Sequence, residues 1–232
     1  VTKIPGCILS SEAHHACDAC ATGERGCDHV TGGLTCVGRD LVTGQHVFLG
    51  SDQPAHAYLI RSGAVCLYRM LRNGRRQIVA FKFAGDFIIP GTSGTHRFSA
   101  QAMMATELRV LPLAAFRAAA GEDARLLARL HDMAAAELSS AYDLICILGH
   151  HDAEASVAAF LLEVEARLHG SGTGVVVLPM LRTDIADYLG LSHETVSRVL
   201  TSFKRKGLIE TGRARSVRIR ERAALAALVL GS

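Results

Sequence analysis

The stretch from Thr183 to Phe203 constrains the chain most. Thr183 is a natural N-cap for a short helix over Asp184–Leu189. Gly190 can then enter the left-handed region and stop that helix. Ser192 caps a second helix whose first turn holds Glu194 and Thr195. Ile185, Ala186, Leu189, Leu191, Val196, Val199, Leu200 and Phe203 are spaced to bury one face of each helix against the other. Two helices joined by a short glycine-containing turn make a helix-turn-helix. The outer face of the second helix carries His193, Glu194, Ser197, Arg198 and Thr201. These side chains can read base edges: arginine bidentate to guanine, glutamate accepting from cytosine, serine either way.

The residues that follow suit the same use. Lys204-Arg205-Lys206 ends the helix and is expected to touch phosphate. Leu208–Thr211 and Ser216–Arg220 read as a hairpin around Gly212-Arg213-Ala214-Arg215. That hairpin is a wing, and Arg213 and Arg215 at its tip would add sequence-independent, salt-dependent affinity. An ordinary helical pair followed by a hairpin is the alternative. The caps, glycine turn, polar outer face and basic wing together point to double-stranded DNA.

Charge is distributed accordingly. The net formal charge is only +3, yet residues 180–220 carry nine basic against four acidic side chains, a net of +5. Residues 1–36 set Lys3 and Arg25 against Glu12, Asp18, Glu24 and Asp28, a net of −2. A basic end behind a mildly acidic head suggests a nucleic-acid partner. With 49% hydrophobic residues the chain can fill the cores of one or two domains. No run of about 18 apolar residues goes unbroken, and Val1-Thr2-Lys3-Ile4-Pro5 does not lead into an apolar signal segment. The expectation is a cytoplasmic protein with no membrane partner. No Ser/His/Asp, phosphate-loop or paired-carboxylate arrangement supports an enzyme.

Four segments follow along the chain. Residues 1–36 are rich in Cys, His and Gly and lack a sustained apolar period, so they read as a sensor segment ordered by a ligand. Residues 37–120 alternate short apolar runs with turn signals: Ala57-Tyr58-Leu59-Ile60 before Arg61-Ser62-Gly63, then Ala64–Tyr68 before Asn73-Gly74, then Gln77–Phe81 before Ala84-Gly85-Asp86. They predict a small β-barrel or jelly roll. Residues 121–150 read as one long helix in which Leu127, Leu130, Ala134, Leu138, Ala141, Ile145 and Leu148 form a single stripe. That stripe predicts the seam of a homodimer, with packing on its own barrel as the alternative. Residues 151–232 form the winged helix-turn-helix, entered through an amphipathic helix over Ala155–Leu168 and a Gly170–Gly174 break. The expected fold class is α+β: an N-terminal jelly roll, a long dimerisation helix and a C-terminal winged helix-turn-helix.

Of the seven cysteines, Cys7, Cys17, Cys20, Cys27 and Cys36 fall in the first 36 residues. In a reducing compartment such a cluster binds metal or senses redox state more often than it forms disulfides. Cys17-Asp18-Ala19-Cys20 can bring two thiolates onto one iron or zinc centre. Cys66 and Cys146 lie in apolar runs and are expected to be buried, inert thiols.

The run Asp184-Ile185-Ala186-Asp187-Tyr188-Leu189-Gly190-Leu191-Ser192-His193-Glu194-Thr195-Val196-Ser197-Arg198 resembles the signature of the CRP/FNR superfamily of bacterial transcription regulators. Its Glu-Thr-Val-Ser-Arg segment is closer to the FNR and FixK branches. Arg61-Ser62-Gly63 and Ala84-Gly85-Asp86-Phe87 are similar to that family's barrel turns, so the likeness covers about residues 40–220. The resemblance implies a cyclic-nucleotide-binding-like barrel, RNA polymerase as a partner, and base contacts by Glu194, Ser197 and Arg198 on a palindrome like TTGAT-N4-ATCAA. It does not extend to the nucleotide-binding residues. Relatives that bind cyclic nucleotides carry Gly-Glu and Arg-Ser/Thr pairs, whereas here Gly85–Ser99 holds no glutamate and Phe98 follows Arg97.

By the same resemblance the cysteine head implies a 4Fe–4S cluster that responds to oxygen or redox state. The family pattern is Cys-x2-Cys, a third cysteine close behind, and a fourth in the barrel. Here the spacing from Cys20 to Cys27 is one residue longer than usual, and Leu108-Arg109-Val110 stands where the fourth ligand is expected. Cys17, Cys20, Cys27 and Cys36 are the expected ligand set, with Cys7 in reserve. His14, His15 and His29 would make zinc an alternative. A FixK-like regulator without a cofactor and a metal-free thiol sensor also stay open. The family places a charge near the dimer seam to couple assembly to the cluster. Here Ala134, Leu138 and Ala141 line the middle, with Glu137 adjacent and Asp143 off the stripe, so a dimer is expected even without metal.

Overall fold

A computed structural model describes residues 34–90, 94–149, 152–168, 175–212 and 216–230. The described residues pack as two compact units. One holds those up to Arg69 together with Phe81–Leu138; the other joins the hairpin segment Met70–Ala80 to the residues from Ser139 onward.

Eight strands build the first half: β1 (Val37–Leu41), β2 (His46–Phe48), β3 (His56–Ser62), β4 (Ala64–Met70), β5 (Arg76–Phe83), β6 (Phe87–Ile88), β7 (Ser99–Ala102) and β8 (Thr106–Pro112). They form two four-stranded sheets, in the orders β1-β8-β3-β6 and β2-β7-β4-β5, which is the double-sheet jelly roll the turn signals predict. In β3, four consecutive residues from Ala57 to Ile60 are buried. An antiparallel strand with one wet face would alternate, so this one is covered on both sides. The reason is a helix, α1 (Leu113–Glu122), whose Leu113 and Phe116 cluster with Ala57, Leu59, Phe87 and Leu111. The β3–β4 turn depends on Gly63. Its φ is +92°, and a Cβ there would fall 2.4 Å from Thr106 Oγ1 and 2.5 Å from the Ala105 carbonyl oxygen.

Helix α1 corrects two expectations. It occupies residues read as barrel, and it separates what was read as one helix from residue 121. Asp123 adopts extended backbone (φ −106°, ψ 102°), and its Oδ1 accepts from the amides of Arg125 (2.8 Å) and Leu126 (3.3 Å). An aspartate that caps the following amides stops one helix and starts another. The long helix α2 is therefore Ala124–Gly149.

Helix α3 (Ala153–Leu168) buries Val157, Phe160, Leu161 and Val164. Then come β9 (Val175–Val177), α4 (Arg182–Leu189), α5 (His193–Arg205), β10 (Ile209–Thr211), β11 (Ser216–Ile219) and α6 (Arg222–Leu230). Antiparallel β10 and β11 are the wing, and β9 joins β11 to make a three-stranded sheet. Neither β9 nor α6 is evident in the sequence. Among the described residues, no helix is long and apolar enough to cross a membrane.

Candidate nucleic-acid interface

The two helices α4 and α5 are held from within by the apolar set read from the sequence. Ile185, Ala186, Leu189, Val196, Val199, Leu200 and Phe203 are buried, and Leu191 is half-buried. Each large side chain removed from water stabilises the pair by roughly 1.5–3 kcal/mol. Gly190 has φ +66° and closes α4 as expected. The start of α4 differs. Leu181, not Thr183, precedes the first helical residue, and the Leu181 amide donates to Asp184 Oδ2 at 2.8 Å. A carboxylate in the third position can reach back to the cap amide, so Thr183 is free to sit inside the helix.

Ser192 does cap α5: its Oγ accepts from the Thr195 amide at 3.1 Å. The Thr195 hydroxyl then lies 3.1 Å from Ser192 Oγ, and Arg198 Nη2 donates to it at 3.3 Å. This chain of contacts runs along the first two turns and orients the Arg198 guanidinium. His193, Glu194 and Arg198 are exposed and Ser197 half-exposed. Glu194 is held below its ordinary carboxylate pKa by its own backbone amide, then by the Ser192 hydroxyl, with His193 and Arg198 nearby. It is therefore an ionised acceptor, the state needed to take a proton donor from a base edge.

Arg182, at the start of α4, was missed as a site residue. Its Nη1 donates to Ser197 Oγ at 3.4 Å. The available signal was a basic residue directly before Thr183. Thr201 is exposed, but its hydroxyl donates to the Ser197 carbonyl at 2.8 Å, so its proton is turned toward its own helix. Lys204 and Arg205 are exposed in the last turn. Lys206, expected on phosphate with them, is instead paired with Glu154 of α3, Nζ to Oε2 at 2.7 Å. The wing tip with Arg213 and Arg215 lies outside the described residues.

The stripe of α2 is largely solvent-facing. Leu127, Leu138, Ile145 and Leu148 are 45–64% exposed, Ala134 and Ala141 are exposed, and Leu130 is half-buried. Leu126 and Leu144, off the stripe, are the α2 residues that are buried. Within the first unit, Leu127 and Leu138 face solvent, while Leu130 packs beside Cys36 and Met133 against the α1 cluster. Cys146 is exposed, which corrects its expected burial; Cys66 is buried. Cys146 follows Ile145 on the outer side of α2, where an apolar run does not mean an interior position.

Cys17, Cys20 and Cys27 lie outside the described residues, as do Cys7, His14, His15 and His29. Cys36 is half-buried. The register of β1 on β8 sets Val37 opposite Val110, so Cys36 arrives beside the end of the Leu108–Val110 segment. In the first unit a small cavity is lined by Lys82, Glu137, His96, Phe48 and Phe98, among others. Lys82 is 8% exposed and its Nζ is 2.9 Å from Glu137 Oε1 of α2. The His96 ring stacks on Phe48 with centroids 3.8 Å apart, and burial lowers its pKa despite Asp52.

A jelly roll joined to a winged helix-turn-helix with an exposed polar outer face defines a DNA-binding transcription regulator. Comparison with known proteins agrees. Residues 39–123 match the cyclic nucleotide-binding domain and residues 155–228 the Crp-like helix-turn-helix domain. The nitrogen fixation regulation protein FixK of Bradyrhizobium diazoefficiens is 43% identical over 169 residues, 72% of this chain and 71% of that protein. The fumarate and nitrate reduction regulatory protein of Salmonella typhimurium is 31% identical over 194 residues, 82% of this chain and 77% of that one. The structure of FixK2 from Bradyrhizobium japonicum aligns with a TM-score of 0.78 at 35% identity, covering 84% of this chain and 98% of that one. The chain belongs to the CRP/FNR family of transcription regulators, on its FNR/FixK-like branch.

Proposed function

We propose that the chain acts as a homodimer on a two-fold DNA site of the TTGAT-N4-ATCAA type. Glu194, Ser197 and Arg198 read bases, His193 makes the outermost contact, and Lys204, Arg205, Arg213 and Arg215 hold phosphate. The observation that carries this is the first two turns of α5. Ser192, Thr195 and Arg198 are linked in series, and the ionised Glu194 faces outward beside them. The exposed stripe of α2 supplies the seam that sets two such helices one DNA turn apart. RNA polymerase is the expected protein partner. Selection of duplexes from a random pool tests the reading: a palindrome whose half-sites lie about one helical turn apart is expected, and a lone half-site would overturn it.

In this reading the cysteine head binds an iron–sulfur cluster and reports oxygen or redox state. The support is the Cys17-x2-Cys20 spacing and the β1 register, which brings Cys36 to the strand end where the barrel itself carries no cysteine. A bound cluster would supply the oxygen-labile chemistry; the chain supplies the thiolates and the apolar surroundings of Cys36. Anaerobic purification with iron, sulfide and zinc analysis tests it, with Cys36→Ser expected to lose most of the iron. The second reading is a FixK-like regulator without a cofactor. Higher identity to FixK than to the fumarate and nitrate regulator favours it. Colourless, iron-free protein that binds its site tightly would establish that reading over the first.

A further inference from the structure

Helix α4 is a short element with a demanding position. It has eight residues, Arg182–Leu189, and leads through Gly190 directly into the recognition helix. A helix of this length is not stable alone. Its last four carbonyls have no partner inside the helix. The Ala186 carbonyl accepts from the Gly190 and Leu191 amides. Those of Asp187 and Tyr188 accept from one side-chain amide, Gln77 Nε2, at 2.7 and 3.3 Å. Beside Gln77, Arg76 donates through Nε to Asp187 Oδ2 at 2.9 Å and through Nη2 to Asp184 Oδ1. Asp184 and Asp187 are three apart and share a helix face, so one guanidinium spans both. Asp184 also caps the start of α4 through the Leu181 amide.

We propose that Arg76 and Gln77, the first two residues of β5, are positioning residues for the recognition helix. The pair finishes α4 from outside. Gln77 acts as its C-terminal cap, and Arg76 fixes the aspartate that caps its start. The direction in which α5 leaves Gly190 is then set by residues more than a hundred positions earlier. Neither residue belongs to the outer face of α5. Their effect on DNA is on the fraction of molecules whose recognition helix is aimed correctly, which scales apparent affinity directly.

The inference rests on DNA binding by α5 but not on any particular operator. The test therefore uses the full-length protein and the duplex that the wild-type protein itself selects from a random pool, beside a scrambled duplex. Arg76→Ala and Gln77→Ala are expected to weaken binding to the selected duplex about tenfold, within the usual range for coupling between separate elements. Binding to the scrambled duplex should hold, because phosphate contacts are unchanged. Arg76→Lys should recover part of the loss, since one charge can still reach one aspartate. An unchanged ratio of selected to scrambled affinity in both alanine variants would overturn the proposal. Should Arg76→Ala fail to fold, the exchange Arg76→Asp with Asp187→Arg decides. A ratio restored relative to Arg76→Asp alone supports the clamp, and no restoration sinks it. Failure of the wider DNA reading looks different, because the wild-type protein would then select no duplex.

Discussion

At the scale of single residues, the proposed recognition surface divides into groups that would read and groups that would hold. Arg198→Ala should cost about 1–3 kcal/mol of discrimination at one base pair and relax specificity there. Lys204→Ala should weaken all sequences alike and reduce the salt slope of binding by about 1. Competition titrations across salt concentrations separate the two. A different residue makes stability depend on pH. Glu163 on α3 has its pKa raised above 4.5, by burial first, with Arg167 and the Tyr188 hydroxyl opposing and Asp143 reinforcing. Tyr188 is raised in turn, by burial and by Glu163. The folded protein therefore holds the Glu163 proton more tightly than the unfolded chain does. The associated stability is fully present below the unfolded value and fades as pH rises through the folded one. Glu163→Gln keeps a neutral side chain there, so its Tm relative to wild type should be higher at pH 8 than at pH 5. An equal difference at both pH values would reject this.

At the scale of elements, stability rests on a few local devices. Ser192→Ala removes the cap of α5 and should cost about 1 kcal/mol, read as a lower Tm together with weaker operator binding. Gly63→Ala forces a Cβ against Thr106 Oγ1 and the Ala105 carbonyl at a left-handed position. It should destabilise the barrel by more than about 1 kcal/mol. Devices of this local kind are the ones visible in sequence. Ser192, Gly190 and the apolar positions of α5 lie within a few residues of what they act on, so α5 is legible to the residue. The start of α4 is not, because Asp184 reaching back does the work that Thr183 was expected to do. Helix α1 escaped because its apolar residues pack on the outer face of β3, and Leu113-Ala114-Ala115-Phe116 looks like one more barrel run. Strand β9 is three valines whose sheet partner among the described residues, β11, lies some forty residues later, between Val177 and Ser216. Arg76 and Gln77 were opaque for the same reason: the start of a strand does not announce which distant helix it completes.

At the scale of the whole molecule, the proposed homodimer rests on the α2 stripe. Leu138→Glu or Ile145→Glu places a charge on the exposed seam and should convert the dimer to monomer in sedimentation experiments, with operator binding lost alongside. Metal-free protein should remain a dimer, because the middle of the seam is Ala134, Leu138 and Ala141 with no charge on the stripe itself. Gel filtration showing a monomer after chelation would contradict this. The same stripe has a consequence for dosage. A regulator that must pair before it can fill two half-sites responds to the square of its own abundance whenever subunits are scarce. Doubling its synthesis then raises operator occupancy about fourfold, as mass action on a two-to-one assembly requires. In the proposed dimer a seam of leucine, isoleucine and alanine thus sets how steeply the response follows the number of copies made.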